Sequence, residues 1–180
     1  MPQELLKLKL QSLGALRPEA WEKICELMQF VELKTGQNFI RKEGSLAYVA
    51  EGLLKECVAQ QRQTPAVISF IAGNLGLITR KHNEHHHLEA CVESIIYYWD
   101  FEALESLYRE FRELKVIYHG ICAEYDALVL LRMRLLEMSV VERIEVFRYE
   151  FREVLPYLKK KDIANYLHLH YTHFLRNWNS

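Results

Sequence analysis

Lys161-Asp162-Ile163-Ala164-Asn165-Tyr166-Leu167-His168-Leu169-His170-Tyr171-Thr172-His173-Phe174-Leu175-Arg176 is the stretch on which the reading of this chain turns. Apolar residues fall at Ile163, Ala164, Leu167, Leu169, Phe174 and Leu175. That spacing predicts two short helices and a tight turn, a helix-turn-helix, with small Ala164 where the helices cross and an apolar turn residue plugging the core. Upstream, Ser139 and Glu142 form a capping box that starts a further helix. Its apolar face is Val141, Ile144, Phe147, Phe151 and Leu155, and Pro156 stops it. Lys159, Lys160 and Lys161 open the first helix of the motif, where phosphate contacts commonly lie. On the second helix Tyr171, Thr172, His173 and Arg176 are the outward candidates for DNA. Thr172 and His173 can donate to or accept from base edges, and Arg176 can reach a phosphate or a guanine.

Before this unit comes the most regular pattern in the chain. Leu114, Ile117, Ile121, Glu124, Leu128, Leu131, Leu135 and Met138 alternate steps of three and four. The pattern predicts one long helix with an apolar seam of about three and a half heptads, broken by Glu124. Leu114, Ile117, Ile121, Leu128, Leu131 and Leu135 are expected to meet a second copy across a two-fold axis, as a parallel homodimer. The alternative is that the seam packs on the chain's own β-structure.

From Phe30 to Trp99 turn signals recur at Thr35-Gly36-Gln37-Asn38, Glu43-Gly44-Ser45, Glu51-Gly52, Gln63-Thr64-Pro65 and Gly73-Asn74. Between them lie short runs such as Phe39-Ile40, Leu53 to Val58, Val67 to Ile71 and Ile95 to Trp99. Evenly spaced short strands over roughly 70 residues suit one eight-stranded jelly roll. Residues 3–13 and 18–29 read as helices, the second with Pro18 in its first turn. Asp100 reads as the cap of a helix from Glu102 to Phe111. The expected fold class is α+β, with 1–138 as roll, flanking helices and dimerisation helix, and 139–180 as the helix-turn-helix unit.

The chain has 180 residues, 50% hydrophobic and 26% charged, with a net charge of −1. This is a globular profile and no polycation, so any nucleic-acid surface must be local. Residues 154–180 carry four basic side chains against Asp162, a net of +3, and His168, His170 and His173 add charge at lower pH. The scattered Cys25, Cys57, Cys91 and Cys122 argue against a zinc ribbon or a redox pair and suit buried thiols in a reducing cytoplasm. MPQELLKLKLQ has no apolar signal core, and Ala66 to Ile78 is too short for a bilayer, so no membrane partner is expected.

Short helices, a jelly roll, a long helix and a helix-turn-helix follow the order of the Crp/Fnr family of cyclic-nucleotide-binding-domain transcription regulators. Phe39-Ile40-Arg41-Lys42-Glu43-Gly44 resembles the family's F-x-x-x-E-G turn. Ala50-Glu51-Gly52-Leu53-Leu54-Lys55 resembles its next hairpin. Glu142-Arg143 with Lys161 to Leu167 resembles the E-R … I-A-x-Y-L signature of a short-tailed branch found in Bacteroidetes-type bacteria. The resemblance implies a dimeric regulator that binds double-stranded DNA and has an effector site in the roll. The effector pocket would be a degenerate phosphate cassette: Gly73, Asn74, Leu75 and Gly76, then His85, His86 and Ala90. Family members that bind cyclic AMP place a Glu and an Arg there; this chain has neither, so tight cyclic AMP binding is not expected. In the turn the family's usual Gly is replaced by His168.

Two rival readings follow from the same residues. One is a degenerate interaction or sensor module without DNA binding. The other is a metal-dependent cupin-like enzyme built on His82, His85, His86 and His87 with Glu89 or Glu93. The cupin spacing is not met, and a solvated hairpin turn explains the histidines. No nucleophile–base set, P-loop or G-x-G-x-x-G occurs, so neither enzyme activity, metal nor cofactor is expected.

Overall fold

The computed structural model describes residues 2–59 and 65–179, so the turn read at Gln63-Thr64 lies outside the described residues. Helices α1 (Pro2–Leu13) and α2 (Pro18–Leu27) open the chain. Eight strands follow: β1 (Gln29–Leu33), β2 (Asn38–Phe39), β3 (Leu46–Glu51), β4 (Leu53–Val58), β5 (Ala66–Ala72), β6 (Gly76–Ile78), β7 (His87–Ala90) and β8 (Ser94–Trp99). They pair antiparallel in two four-stranded sheets, ordered β1-β8-β3-β6 and β2-β7-β4-β5. Both sheets contribute to one core, with Val49, Leu77 and Ile96 from the first and Leu54, Ile71 and Leu88 from the second. This is the expected jelly roll.

Strand β3 lacks the alternation of a half-exposed strand: Leu46 through Ala50 are all buried. Its outer face lies under α1, where Leu46, Tyr48 and Ala50 join Leu6 and Leu10. The two glycines of the family-like turns are demanded by geometry. Gly44 has φ +78° and Gly52 φ +97°, and a Cβ on either would overlap Phe101 or Ser94.

Helix α3 (Phe101–Glu110) begins at Asp100, whose carboxylate accepts the Ala103 N–H at 2.9 Å. Helix α4 (Leu114–Glu137) is the long rod. Helix α5 (Val140–Glu150) starts at the Ser139–Glu142 capping box. It ends ahead of Pro156, which instead sits in a 3-10 turn, Leu155–Tyr157. Helices α6 (Lys160–Tyr166) and α7 (Tyr171–Trp178) form the terminal pair.

The seam read on α4 faces the subunit's own interior, which corrects the expected dimer contact. Leu114, Ile117 and Ile121 are buried with α1, α3 and the roll, and Leu135 with α5 to α7. Leu128 and Leu131 are half-buried against the chain's own cores. Even the break has a partner: Glu124 accepts from Lys9 Nζ of α1 at 2.5 Å. A three-four repeat marks an apolar face but does not say what covers it. The opposite face of α4 is the free one. Val116, Ala123 and Leu130 recur every seven residues along it, with Met133 one helical step on. Val116, Leu130 and Met133 are 60%, 59% and 57% exposed.

The break between α4 and α5 falls at Met138–Ser139, but the core does not divide there. Leu53, Val67 and Phe70 of the roll share one cluster with Ile144, Phe147, Phe151, Ile163, Leu167 and Phe174. The Phe70 ring lies 5.1 Å from Tyr166 and 6.1 Å from Phe147.

Candidate nucleic-acid interface and effector site

Helices α6 and α7 meet as the spacing predicts. Ile163, Ala164, Leu167 and Phe174 are buried, and His168 adopts φ +56°, the left-handed turn that the family's glycine would supply. His168 N–H donates to Asn165 O at 3.0 Å and Leu169 N–H to Ala164 O at 2.9 Å, closing the end of α6. Phe174 anchors α7, while Tyr171, Thr172, His173 and Arg176 are exposed. Lys159, Lys160 and Lys161 are exposed as well, and among the described residues none of them, nor Arg176, forms an ion pair. The face is basic: α7 holds no acidic residue, and Asp162 is turned away to Lys55 Nζ at 3.1 Å. Asn177 is tied back to His173 O at 2.9 Å.

The residues between these exposed positions bind the unit to the rest of the chain. Arg143 of the E-R signature donates to Leu167 O at 2.7 Å and to Leu136 O and Met138 O at 2.9 Å, so one guanidinium joins the ends of α4 and α6. Arg132 of α4 donates to Tyr166 O at 3.1 Å. Asn165 satisfies the free edge of β5, accepting from Val67 N–H and donating to Pro65 O, both at 2.9 Å. Lys55 lies between Glu89 and Asp162; burial works against its charge, but the two carboxylates outweigh that and raise its pKa. The sequence signature is thus largely a docking device, and Arg143, Asn165 and Tyr166 were not singled out for it from sequence.

Of the seven residues expected to line an effector pocket, three spend their backbone N–H groups within the chain. Gly73 N–H donates to Gly52 O at 3.0 Å, Asn74 N–H to Val49 O at 2.9 Å and Leu75 N–H to Ala72 O at 3.3 Å. The backbone donors that would cradle a phosphate are therefore already in use. Asn74 accepts from Tyr48 O–H at 2.5 Å. Over Gly76 lies Ile121 of α4, so close that an added Cβ would overlap it. Ala90 is fully buried in the roll's core, His85 is exposed, and His86 turns the other way.

What His86 turns toward is a buried polar cluster between the roll and α4. Arg41 donates to Glu56 Oε1 at 2.5 Å, Thr79 Oγ1 at 3.2 Å, Ile78 O at 3.0 Å and the Tyr125 phenol oxygen at 3.4 Å. Glu56 also accepts from Tyr125 O–H at 2.8 Å and contacts His86 Nδ1 at 2.8 Å. Asn83 donates to the Tyr125 phenol oxygen at 3.1 Å and to Ile78 O at 3.0 Å. The Arg41 and Glu56 side chains are each 1% exposed. Burial works to raise the Glu56 pKa, but the bonds from His86, Arg41 and Tyr125 outweigh it and hold the carboxyl below its ordinary range. Burial and the neighbouring Glu56 push the Tyr125 phenol up to about 12. A sequence signal for this cluster existed: Lys55-Glu56 interrupts an otherwise apolar strand, and strand alternation sends the two charges to opposite faces.

His82, His85 and His87 are exposed, and among the described residues no three metal-ligating side chains are arranged to hold an ion. The cysteines are free; Cys57 is buried, which pushes its thiol up to about 11. No helix among the described residues is long and apolar enough to cross a membrane.

No protein-family profile and no curated protein matches the chain. Solved structures do match. A structure described as a transcriptional regulator of the Crp/Fnr family, from Eubacterium rectale, superposes with TM-score 0.70 at 15% identity, over 90% of this chain and 82% of that one. A cyclic nucleotide-binding domain containing protein from Listeria monocytogenes gives TM-score 0.70 at 14% identity, over 96% and 88%. FixK2 from Bradyrhizobium japonicum gives 0.70 at 15%, over 84% and 83%. At such identities the likeness carries the fold, and the chain has the cyclic-nucleotide-binding architecture of Crp/Fnr regulators, with long helix and C-terminal helices.

Proposed function

We propose that the chain is a dimeric transcription regulator of the Crp/Fnr type, acting in the cytoplasm by binding double-stranded DNA without cyclic AMP. The observation that carries this reading is the state of α7: its apolar side is anchored by Phe174, while Tyr171, Thr172, His173 and Arg176 project with no partner competing for Arg176. Helix α7 enters the major groove, and Lys159, Lys160 and Lys161 meet the flanking phosphates. Two copies pair through the free face of α4, Val116, Ala123, Leu130 and Met133, rather than through the seam on its other side. The pairing sets two half-sites about 34 Å apart, one helical turn. The use of the Gly73–Leu75 donors within the chain supports indifference to cyclic AMP. The fold relatives and the lack of a nucleophile–base set support a regulator rather than an enzyme.

The test is selection from a random duplex pool at low salt. A two-fold symmetric site is expected, and Arg176→Ala should weaken it by roughly 10- to 100-fold, the worth of one side chain reading a base edge. No sequence preference at any salt concentration would refute the reading in favour of an interaction module.

A further inference from the structure

We propose that Arg41, His86 and Tyr125 form a carboxylate-binding site that the chain fills with its own Glu56, and that this internal ligand seats α4 on the roll. Three donors from three separate parts of the chain point at one carboxylate. Arg41 comes from the loop after β2, His86 from the loop before β7, and Tyr125 from α4. Glu56 Oε1 receives Arg41 Nη1, lies 2.8 Å from His86 Nδ1 and 3.0 Å from Tyr125 O–H; Oε2 receives Tyr125 O–H at 2.8 Å. A guanidinium this deeply buried requires an anion beside it, and Glu56 supplies the one in this cluster. Arg41's remaining donors go to Ile78 O, Thr79 Oγ1 and the Tyr125 phenol oxygen, and Asn83 donates to Ile78 O and the same phenol, so Glu56 takes the donors that these groups leave. Tyr125 is the member that belongs to α4, so the charge at position 56 is what the rod grips. The site rests on side-chain geometry alone.

Glu56→Ala removes a CH2 and a carboxylate, and free acetate has the same heavy atoms in the same order. The experiment is thermal unfolding of the full chain, wild type and Glu56→Ala, against sodium acetate with sodium chloride as the ionic-strength control. The variant is expected to rise by roughly 3 °C or more at 100 mM acetate over chloride, following mass action. The wild type should not distinguish the two salts. Hydrogen exchange at α4 amides should quicken in Glu56→Ala and slow again with acetate. If the variant fails to fold in chloride, recovery of folded protein on refolding with acetate reads the same effect. Glu56→Gln, which fills the space without the charge, should fold and ignore acetate. A Glu56→Ala chain indifferent to acetate, folded or not, or a wild type that responds equally, overturns the proposal. No step uses DNA, so the outcome is independent of whether the chain binds it.

Discussion

The roll interior and the α7 surface treat polar side chains in opposite ways. Between roll and α4, Arg41, Glu56, Asn83 and Tyr125 are buried and bonded to one another. On α7, Tyr171, Thr172, His173 and Arg176 face outward, while Phe174 is buried and Leu175 and Trp178 pack beside it. Between roll and α4, the buried Arg41 has its counter-charge in the chain's own Glu56. Polar groups that are satisfied internally define structure, and those left at the surface define recognition.

The largest effect should come from breaking the inner cluster. Arg41→Met leaves Glu56 buried without its counter-charge, and urea unfolding should show a loss of about 3–5 kcal/mol. Arg41→Met with Glu56→Leu should regain part of it, because an apolar pair needs no desolvated ion. A single-variant loss below about 1 kcal/mol would mean that water reaches the cluster. The sign with pH follows from the lowered Glu56 pKa. Its contribution is full above the ordinary carboxylate value of 4.5 and is lost as pH falls below that through the folded value. Glu56→Gln should lack that acid-side loss.

The next effect tests whether the recognition unit is independent of the roll. Phe147 is fully buried between Phe70 of the roll and Tyr166 of α6. Phe147→Ala should cost about 3–5 kcal/mol and lower the stability of the whole chain in one transition. A variant whose roll kept its wild-type midpoint while residues 139–179 melted earlier would show two units instead.

How much of this was legible in the sequence depended on the range of the interaction. Local signals reported truly: the Ser139–Glu142 capping box, the Asp100 cap, and the positive-φ turn at His168 are each specified by neighbours within a few residues. Regular spacing placed α4 and its apolar face, but periodicity is silent about whether a second copy or the chain's own roll covers that face. The runs at Leu53–Val58 and Ile95–Trp99 were clear, the second lying within β8, whereas short β6 and β7 were hidden beneath the supposed cassette. The inner cluster was least legible. Arg41 and Tyr125 are 84 positions apart, and neither carries a local sign of the other.

A smaller effect separates the two faces of α4. Leu130→Lys, on the face 59% open at that residue, should abolish the dimer in sedimentation while changing subunit stability by about 0.5 kcal/mol or less. Ile121→Ala on the other face should do the reverse, destabilising each subunit by about 2–5 kcal/mol. Swapped outcomes would restore the seam read from sequence.

The smallest effect concerns the lysines that lead into α6, and it distinguishes positioning from reading. Lys160 and Lys161 are exposed, and among the described residues neither forms an ion pair. If they meet phosphates, each releases counterions on binding, and log K falls with log salt by about 0.9 per contact. Lys160→Ala should therefore reduce the slope by about 1 and weaken all duplexes alike, leaving the selected sequence unchanged. Arg176→Ala should do something different, relaxing preference at one position of the site. If Lys160→Ala altered which sequence was selected, α6 rather than α7 would lie in the groove, and the basic face would have to be turned by the width of a helix.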